Sequence, residues 1–325
     1  MSTDDAAVMA RAIALAASVR GATSPNPWVG CVIEGGFEGA TQPPGGLHAE
    51  AVALQAAGEN ARGATLYCTL EPCSHHGRTP PCAGAIVAAG VRRVVIGIED
   101  PDPQVSGKGI AALKAAGIDV EVGVGAAEIE QQLAPYLKHR RTGRPYVVLK
   151  LAVSLDGRTA APDGTSQWIT GDDARRDAHR LRAESDAVLV GAGTVRTDDP
   201  ALTARLVDGD VNDPVRVVLG RAPEGAKVHP ALELSGDLDD VLTDLGHRGI
   251  VQLLVEGGAT VAGTFHRGGH VDRYVVYVAP VLFGGDDARG LFTGAGATTI
   301  AEVWRGRITA VHRLGDDLRV DVEAA

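Results

Sequence analysis

Residues able to bind a metal and to move a proton are concentrated between His48 and Cys82. His48 and Glu50 lie two positions apart, and Cys73 and Cys82 each follow a proline. One imidazole and two thiolates suit Zn²⁺, and three protein ligands leave the fourth tetrahedral position for water. Zinc lowers the pKa of such a water to about 7, and a carboxylate can pass its proton to a leaving amine. The pattern predicts a zinc-dependent hydrolytic deaminase with ligands His48, Cys73 and Cys82 and Glu50 as the catalytic residue.

The segment between the two ligand cysteines is longer than in the C-x-x-C pattern of zinc nucleobase deaminases, because nine positions separate them here. The intervening residues are predicted to loop out, so that His75, His76 and Arg78 line the substrate pocket. The alternative is a structural zinc site in which Cys68 or His75 is the fourth ligand. Otherwise Cys68, like Cys31, lies in an apolar strand-like run and is predicted to be a buried structural residue.

Helical and strand-like segments alternate along most of the chain, which predicts an α/β fold. The first series occupies residues 1–143, has apolar strands typical of a sheet buried on both faces, and ends in a helix over 126–140. The turn-rich stretch 142–145 is typical of a linker. A second α/β series, residues 146–325, is predicted to form another domain that ends in an antiparallel strand pair.

Composition excludes several classes of protein. The chain has 325 residues and a net charge of −10, and a surface of that sign repels nucleic-acid backbones. No run approaches the roughly 18 apolar residues of a membrane span, and the acidic N-terminus does not resemble a signal peptide. Four cysteines without secretory context favour reduced thiols. We expect a cytoplasmic enzyme of a small-molecule substrate, without nucleic-acid or membrane partners.

Two glycine-rich turns in the second half are candidate phosphate sites. One is "EGGATVAG" at 256–263, and the other follows the apolar strand that ends near Gly191 and Gly193. Neither has the G-x-G-x-x-G pattern of a Rossmann site. The backbone N–H groups at the start of a helix can hold a cofactor phosphate, although a glycine-rich turn also serves close packing.

Longer motifs resemble one family along nearly the whole chain. The segments "TSPNPWVGCVI", "HAEAVAL", "CTLEPCSHHGRTPPC", "LKLAVSLDGRTA", "SQWITG", "RTDDPALTAR" and "LLVEGGATVAG" are similar to the bifunctional deaminase–reductases of riboflavin biosynthesis. The resemblance implies a cytidine-deaminase-like zinc domain followed by a dihydrofolate-reductase-like domain.

The same resemblance implies the reactions. The first domain would hydrolyse the 2-amino group of 2,5-diamino-6-(5-phosphoribosylamino)pyrimidin-4-one, and the second would reduce the ribosyl group to ribityl with NADPH. Zn²⁺ and NADPH are the implied cofactors. The implied substrate is a phosphorylated pyrimidine, and the implied assembly is a homo-oligomer, either a dimer or a tetramer.

Roles for individual residues also follow from the resemblance. The implied NADPH contacts are Val153, Trp168, Thr194, Asp198, Gly258, Ala259, Thr260, Val261, Ala262, Gly263 and Thr264. The implied substrate contacts are Asn26, His76, Arg78, Lys150, Ser166, Arg182, Leu202, Arg205 and Glu256. These types suit the chemistry, because two arginines can clamp a phosphate and a lysine can donate to sugar oxygens.

Two positions depart from the family pattern. Thr41 stands where a histidine is usual, and Asp102, in "DPDP", stands where an asparagine is usual. An aspartate cannot donate an amide N–H, and it adds negative charge near an anionic substrate. Two alternatives stay open: a reductase with an inactive deaminase domain, and a zinc deaminase of another nucleoside or of tRNA.

Overall fold

Residues on either side of Gly143 belong to two separately packed units, Met1–Gly143 and Arg144–Ala325. The computed structural model describes residues 3–74, 81–205 and 213–325. Gly143 has a φ of 71°, which glycine adopts without strain, and it caps the last helix of the first unit. Within the described ranges, no helix is long and apolar enough to cross a membrane.

The first unit alternates helices and strands. Its described helices are α1 (Thr3–Ser18), α2 (Ala49–Ala57), α3 (Cys82–Ala89), α4 (Lys108–Ala115), α5 (Ala126–Gln132) and α6 (Ala134–Thr142), with a short 3-10 helix at Gly58–Ala61. Its described strands are β1 (Gly30–Ile33), β2 (Phe37–Ala40), β3 (Thr65–Leu70), β4 (Arg93–Ile98) and β5 (Asp119–Val122).

These strands form one sheet in the order β2-β1-β3-β4-β5. Strands β3, β4 and β5 are parallel, and β1 is antiparallel to both of its neighbours. Every residue of the central strand β3 is buried, as its apolar sequence predicts. Helix α1 packs closely on β1, since a Cβ at Gly30 would lie 1.9 Å from the Ala12 carbonyl oxygen. Because β3 and β4 are parallel, the residues that follow both strands meet at one edge of the sheet.

The second unit is built on a larger sheet. Its described helices are α7 (Asp172–Ala183), α8 (Ala192–Asp198), α9 (Leu238–His247) and α10 (Ala259–Arg267). Its described strands are β6 (Tyr146–Ser154), β7 (Arg158–Ala160), β8 (Ala187–Gly191), β9 (Val215–Leu219), β10 (Leu232–Leu234), β11 (Gln252–Val255), β12 (Arg273–Ala279), β13 (Arg289–Gly290), β14 (Gly306–Leu314) and β15 (Asp317–Ala324).

The main sheet has the order β10-β9-β8-β11-β6-β12-β15-β14. The strands from β10 to β12 are parallel, and β15 and β14 continue the sheet in antiparallel fashion. The core between sheet and helices includes Leu149, Leu189, Leu253 and Phe265, which are fully buried. Strands β14 and β15 form the antiparallel pair that was predicted at the end of the chain.

A buried ionic network joins α7 to the antiparallel end of this sheet. The Arg319 guanidinium donates to Asp177 Oδ2 over 2.8 Å and to both carboxylate oxygens of Asp321. The Tyr277 hydroxyl donates to the same Asp177 oxygen over 2.7 Å. Because each buried charge has a partner, the network satisfies the requirement for burying ions in a core.

The helices and strands differ in several details from the sequence-based expectations. The helix predicted over 126–140 is two helices, because Pro135 in the first turn of α6 cannot donate a backbone N–H to continue α5. Helix α8 and strands β2, β7, β10 and β13 were not predicted; all are short, and short segments carry little periodicity.

Candidate active sites

Three metal-binding side chains meet in the first unit. His48 is the N-cap of α2, Cys82 is the first residue of α3, and Cys73 lies in the loop after β3. His48 Nδ1 lies 3.6 Å from Cys73 Sγ and 3.4 Å from Cys82 Sγ, and all three ligand atoms lie within 4.8 Å of one another. Bonds of about 2.0–2.3 Å in a tetrahedral site place ligand atoms roughly 3.5 Å apart, so these donors fit zinc.

The surroundings favour the thiolate form of Cys73, and they bury the side chain of Glu50. The Cys82 thiol, the His48 ring and the Cys82 backbone N–H, which donates over 3.4 Å, together lower the pKa of Cys73. A proline precedes each ligand cysteine, as at many helix starts, but only Cys82 begins a helix, and Cys73 lies in a loop. Glu50, in the first turn of α2, is 4% exposed, and its burial raises its pKa to about 7.

A cavity of about 520 Å³ opens onto this cluster. Its described lining includes His48, Glu50 and Cys73 together with Asn26, the predicted pyrimidine contact. The complete described lining is Pro25, Asn26, Pro27, Val29, Thr41, Pro44, Gly45, Gly46, His48, Glu50, Leu70, Glu71, Cys73, Asp100, Asp102, Val105, Tyr136 and Arg140. The predicted pocket residues His76 and Arg78 lie outside the described residues, and so does His75, which was predicted to line the pocket or to be a fourth zinc ligand.

Both departures from the family pattern line this cavity. Thr41 is 4% exposed, and its hydroxyl accepts a hydrogen bond from the Val29 N–H over 3.1 Å, so it fixes the end of β2 to the start of β1. Asp102 accepts a hydrogen bond from the Gln104 N–H over 2.9 Å, and its other oxygen lies 3.7 Å from Arg140 Nε.

Two acidic residues of this cavity were missed by sequence reasoning. Glu71, which follows β3, accepts backbone N–H bonds from Asp100, Gly107, Gly109 and Ile110 at 2.9 to 3.2 Å, and so joins the loop after β4 to the start of α4. The Tyr136 hydroxyl donates to Asp100, whose pKa is raised to about 6 by burial. In the sequence, the only indication that Glu71 has a role was its position as an acidic residue directly after a buried strand.

The other two cysteines lie apart from the metal cluster. Cys31 and Cys68 are fully buried and face each other across β1 and β3. Cys68 is not in the group of side chains able to share a metal with His48. The two cysteines are structural core residues, as predicted.

The second unit has its own cavity, of about 600 Å³, at the ends of its parallel strands. Nine of the predicted cofactor and substrate residues line it: Lys150, Ser166, Thr194, Asp198, Glu256, Gly258, Ala259, Thr260 and Val261. The other predicted contacts in this unit are Val153, Trp168, Arg182, Leu202, Arg205, Ala262, Gly263 and Thr264, and they are not among its described lining residues.

Those other residues have identifiable surroundings. Val153 and Ala262 are buried. Trp168 is 70% exposed and stacks against the Arg175 guanidinium, 4.6 Å from its ring centroid. Leu202 is buried with a φ of 53°, in a loop where Arg205 donates to the Thr203 hydroxyl over 2.8 Å.

A buried carboxylate with two cationic neighbours lies at the edge of this cavity. Arg182 donates to both oxygens of Glu256, at 2.6 and 2.9 Å, and Lys150 Nζ lies 3.7 Å from one of them. Burial alone would raise the pKa of Glu256, but the Arg182 and Lys150 charges outweigh it and lower the pKa to about 2. Arg182 also donates to the Thr203 carbonyl over 3.1 Å, so each of its three guanidinium nitrogens makes a hydrogen bond within the protein.

The predicted phosphate turn lies at the start of α10. Gly258 is the N-cap, and its N–H donates to the Thr194 hydroxyl over 3.3 Å. A Cβ at Gly257 would lie 2.5 Å from the Cβ of Val261, so only glycine allows this close approach. The first N–H groups of a helix have no intrahelical partner. Because the turn lines the cavity, these groups can hold a phosphate of NADPH.

Known proteins resemble both halves of the chain. A family model for the cytidine and deoxycytidylate deaminase zinc-binding region matches residues 2–98, and the model for the RibD C-terminal domain matches residues 145–320. The riboflavin biosynthesis protein RibD of Escherichia coli K12 is 43% identical, over 95% of this chain and 96% of that protein.

Solved structures of similar proteins match nearly the whole length of this chain. RibD of Acinetobacter baumannii gives a TM-score of 0.94 at 41% identity, covering 99% of both chains. The Thermotoga maritima diaminohydroxyphosphoribosylaminopyrimidine deaminase/5-amino-6-(5-phosphoribosylamino)uracil reductase gives 0.88 at 35% identity, again over 99% of both chains. These matches confirm the predicted fold class and both cofactors, Zn²⁺ and NADPH. The chain belongs to the RibD family of riboflavin-biosynthesis enzymes, in which one polypeptide carries a zinc-dependent deaminase and a reductase.

Proposed function

We propose that the first unit deaminates 2,5-diamino-6-(5-phosphoribosylamino)pyrimidin-4-one and that the second reduces the ribosyl group of the product to ribityl. The observation that supports the first step most directly is the meeting of His48, Cys73, Cys82 and Glu50 beside one cavity. The domain boundaries 1–143 and 146–325 are proposed for the two activities.

In the deaminase unit, His48, Cys73 and Cys82 hold the metal. When bound, zinc lowers the pKa of a water molecule. Glu50 takes a proton from the attacking water and delivers it to the departing amino nitrogen, so that ammonia leaves as the new carbonyl forms. Asn26 offers an amide to the pyrimidine ring, and Thr41 holds the cavity wall through Val29.

In the reductase unit, the start of α10 and Thr194 hold a cofactor phosphate. NADPH supplies the hydride. Lys150 donates to a sugar oxygen, and Glu256 fixes the position of that ammonium. Because the Arg182 fork is bonded to Glu256 and Thr203, we assign Arg182 to positioning and the substrate phosphate chiefly to the exposed Arg205.

Purified protein given the diaminopyrimidine phosphate and NADPH is expected to release ammonia before NADPH is consumed, because the second unit acts on the product of the first. Ammonia and NADPH absorbance are followed in one sample. NADPH consumption that starts without any ammonia would contradict this order. NADPH consumption only when the deaminated intermediate is supplied would indicate an inactive deaminase unit.

We also propose a homo-oligomer formed through β14. This strand is the edge of the large sheet, and Ile308 and Val311 on it are 62% and 56% exposed. Trp304, just before the strand, is 42% exposed. An exposed apolar edge strand is an aggregation hazard unless something covers it, and a second copy of the chain is the simplest cover.

The Val311→Glu variant is expected to dissociate this oligomer, because it places a charge in the covered edge. Native mass by light scattering measures the effect, with Val215→Glu as the matched control, because Val215 is 42% exposed on β9, towards the opposite side of the same sheet. A wild-type protein that is monomeric at micromolar concentration would refute the proposal.

A further inference from the structure

The deaminase cavity presents a charge problem for the substrate proposed above, on which this inference rests. Four carboxylates line it: Glu50, Glu71, Asp100 and Asp102. The substrate carries a phosphate, and unscreened carboxylates repel it. Among the described lining residues, Arg140 is the one side chain with a permanent positive charge.

Two of these four carboxylates, Glu71 and Asp100, already have several hydrogen-bond partners within the protein. Glu71 accepts four backbone N–H bonds, and Asp100 accepts bonds from the Tyr136 hydroxyl and from the Asp102 N–H. Asp102 receives one N–H, from Gln104, on Oδ1. Its other oxygen, Oδ2, faces Arg140.

Arg140 is held in place by an aromatic ring, and its Nε makes no hydrogen bond to the described residues. Its guanidinium carbon lies 5.1 Å from the centroid of the Tyr136 ring, one turn earlier on α6, and that ring is fixed in turn by Asp100. Its Nε lies 3.7 Å from Asp102 Oδ2, too far for a hydrogen bond, and this buried atom has no hydrogen-bond partner among the described residues.

We propose that Arg140 is a substrate-binding residue of the deaminase unit, which neutralises Asp102 and donates N–H groups to the phosphorylated pyrimidine. Asp102 stands where the resemblance implies an asparagine, so the cavity has a negative charge where an amide N–H is expected. Arg140 supplies both missing properties at the same place: an N–H donor and a compensating cation.

The test is a double-mutant cycle on the zinc-loaded, full-length protein, with ammonia release measured against substrate concentration. Arg140→Met keeps the apolar stem and removes the charge and the donors. It is expected to raise KM about tenfold or more, as for a lost hydrogen bond to a charged group, while kcat changes little. Asp102→Asn keeps the oxygen that accepts from Gln104, and alone it is expected to lower KM.

The double variant tests whether Arg140 acts by neutralising Asp102. Arg140→Met with Asp102→Asn is expected to recover most of the lost affinity, because asparagine removes the charge and restores an amide donor. Arg141→Met is the matched control: it is the adjacent, exposed arginine, outside the cavity lining, and its KM is expected to stay at the wild-type value.

Two results would overturn the proposal: an unchanged KM in Arg140→Met, or a double variant as impaired as Arg140→Met alone, which would mean that Arg140 acts by packing. Zinc content and reduction of the supplied deaminated intermediate verify that each variant is folded. Wild-type protein that reduces the intermediate but releases no ammonia would instead refute the proposed deaminase function, and this inference with it.

Discussion

Glu50→Gln is expected to abolish ammonia release while leaving bound zinc and the reductase activity intact. Glutamine fills the same volume in a position that is 4% exposed, but it cannot take a proton from water or carry one to the leaving amine. The zinc ligands are three other side chains, so the metal stays. General acid–base residues contribute up to about 10⁴-fold, and we expect kcat for deamination to fall by at least about 10³-fold.

Three measurements on the same preparation test this expectation: ammonia release, zinc content, and NADPH oxidation with the deaminated intermediate. Glu99→Gln is the control, since this carboxylate is exposed nearby, accepts from the Ser106 hydroxyl, and is not among the described residues lining the cavity. Normal deamination by Glu50→Gln would show that another group carries the proton.

Arg182→Met is expected to destabilise the second unit strongly. Removing one partner of a buried ion pair leaves the other charge without compensation, which costs about 3–5 kcal/mol. Here the remaining charge is Glu256, whose side chain is 8% exposed; it loses both hydrogen bonds from Arg182 and, among the described residues, keeps only the Lys150 ammonium, at 3.7 Å. Arg176→Met is the matched control on the same helix, because it breaks only a surface pair with Asp173, worth at most about 1 kcal/mol.

The stability that is lost in Arg182→Met is expected to change with pH in one direction. The pKa of Glu256 is lowered to about 2 from an ordinary value of 4.5, so the carboxylate stabilises the fold above pH 4.5, and this contribution disappears as the pH falls towards 2. The stability difference between wild type and Arg182→Met should therefore be largest near neutral pH and should narrow in acid. Calorimetric unfolding at several pH values measures it, and a pH-independent difference would contradict a charge-based role.

Local sequence signals predicted much of the fold and the metal cluster. His48 and Glu50 belong to one helix start, and Cys82 opens another, so their residue types and order were readable from the chain. The start of α10 was readable in the same way from its glycines. The confirmed α/β fold class follows from the apolar strand runs, such as β3, that alternate with helices.

Features set by distant partners were not readable. Arg182 looked like a phosphate ligand, and only the fold shows that its fork is bonded to Glu256, 74 positions away. Tyr136 and Arg140 lie in a helix whose sequence carries no catalytic pattern, and they reach the cavity through tertiary packing. Such long-range pairings depend on strand order, which local periodicity does not encode.

One chain carries a zinc-dependent deaminase and a reductase, and we expect that the reductase does not need zinc. The most direct measurement removes zinc with a chelator, verifies the loss by metal analysis, and then follows ammonia and NADPH with each substrate in turn. We predict that ammonia release from the diaminopyrimidine phosphate stops and returns with added zinc, while NADPH-dependent reduction of the deaminated intermediate continues throughout. Ammonia release that persists in zinc-free protein would contradict a zinc-dependent deamination.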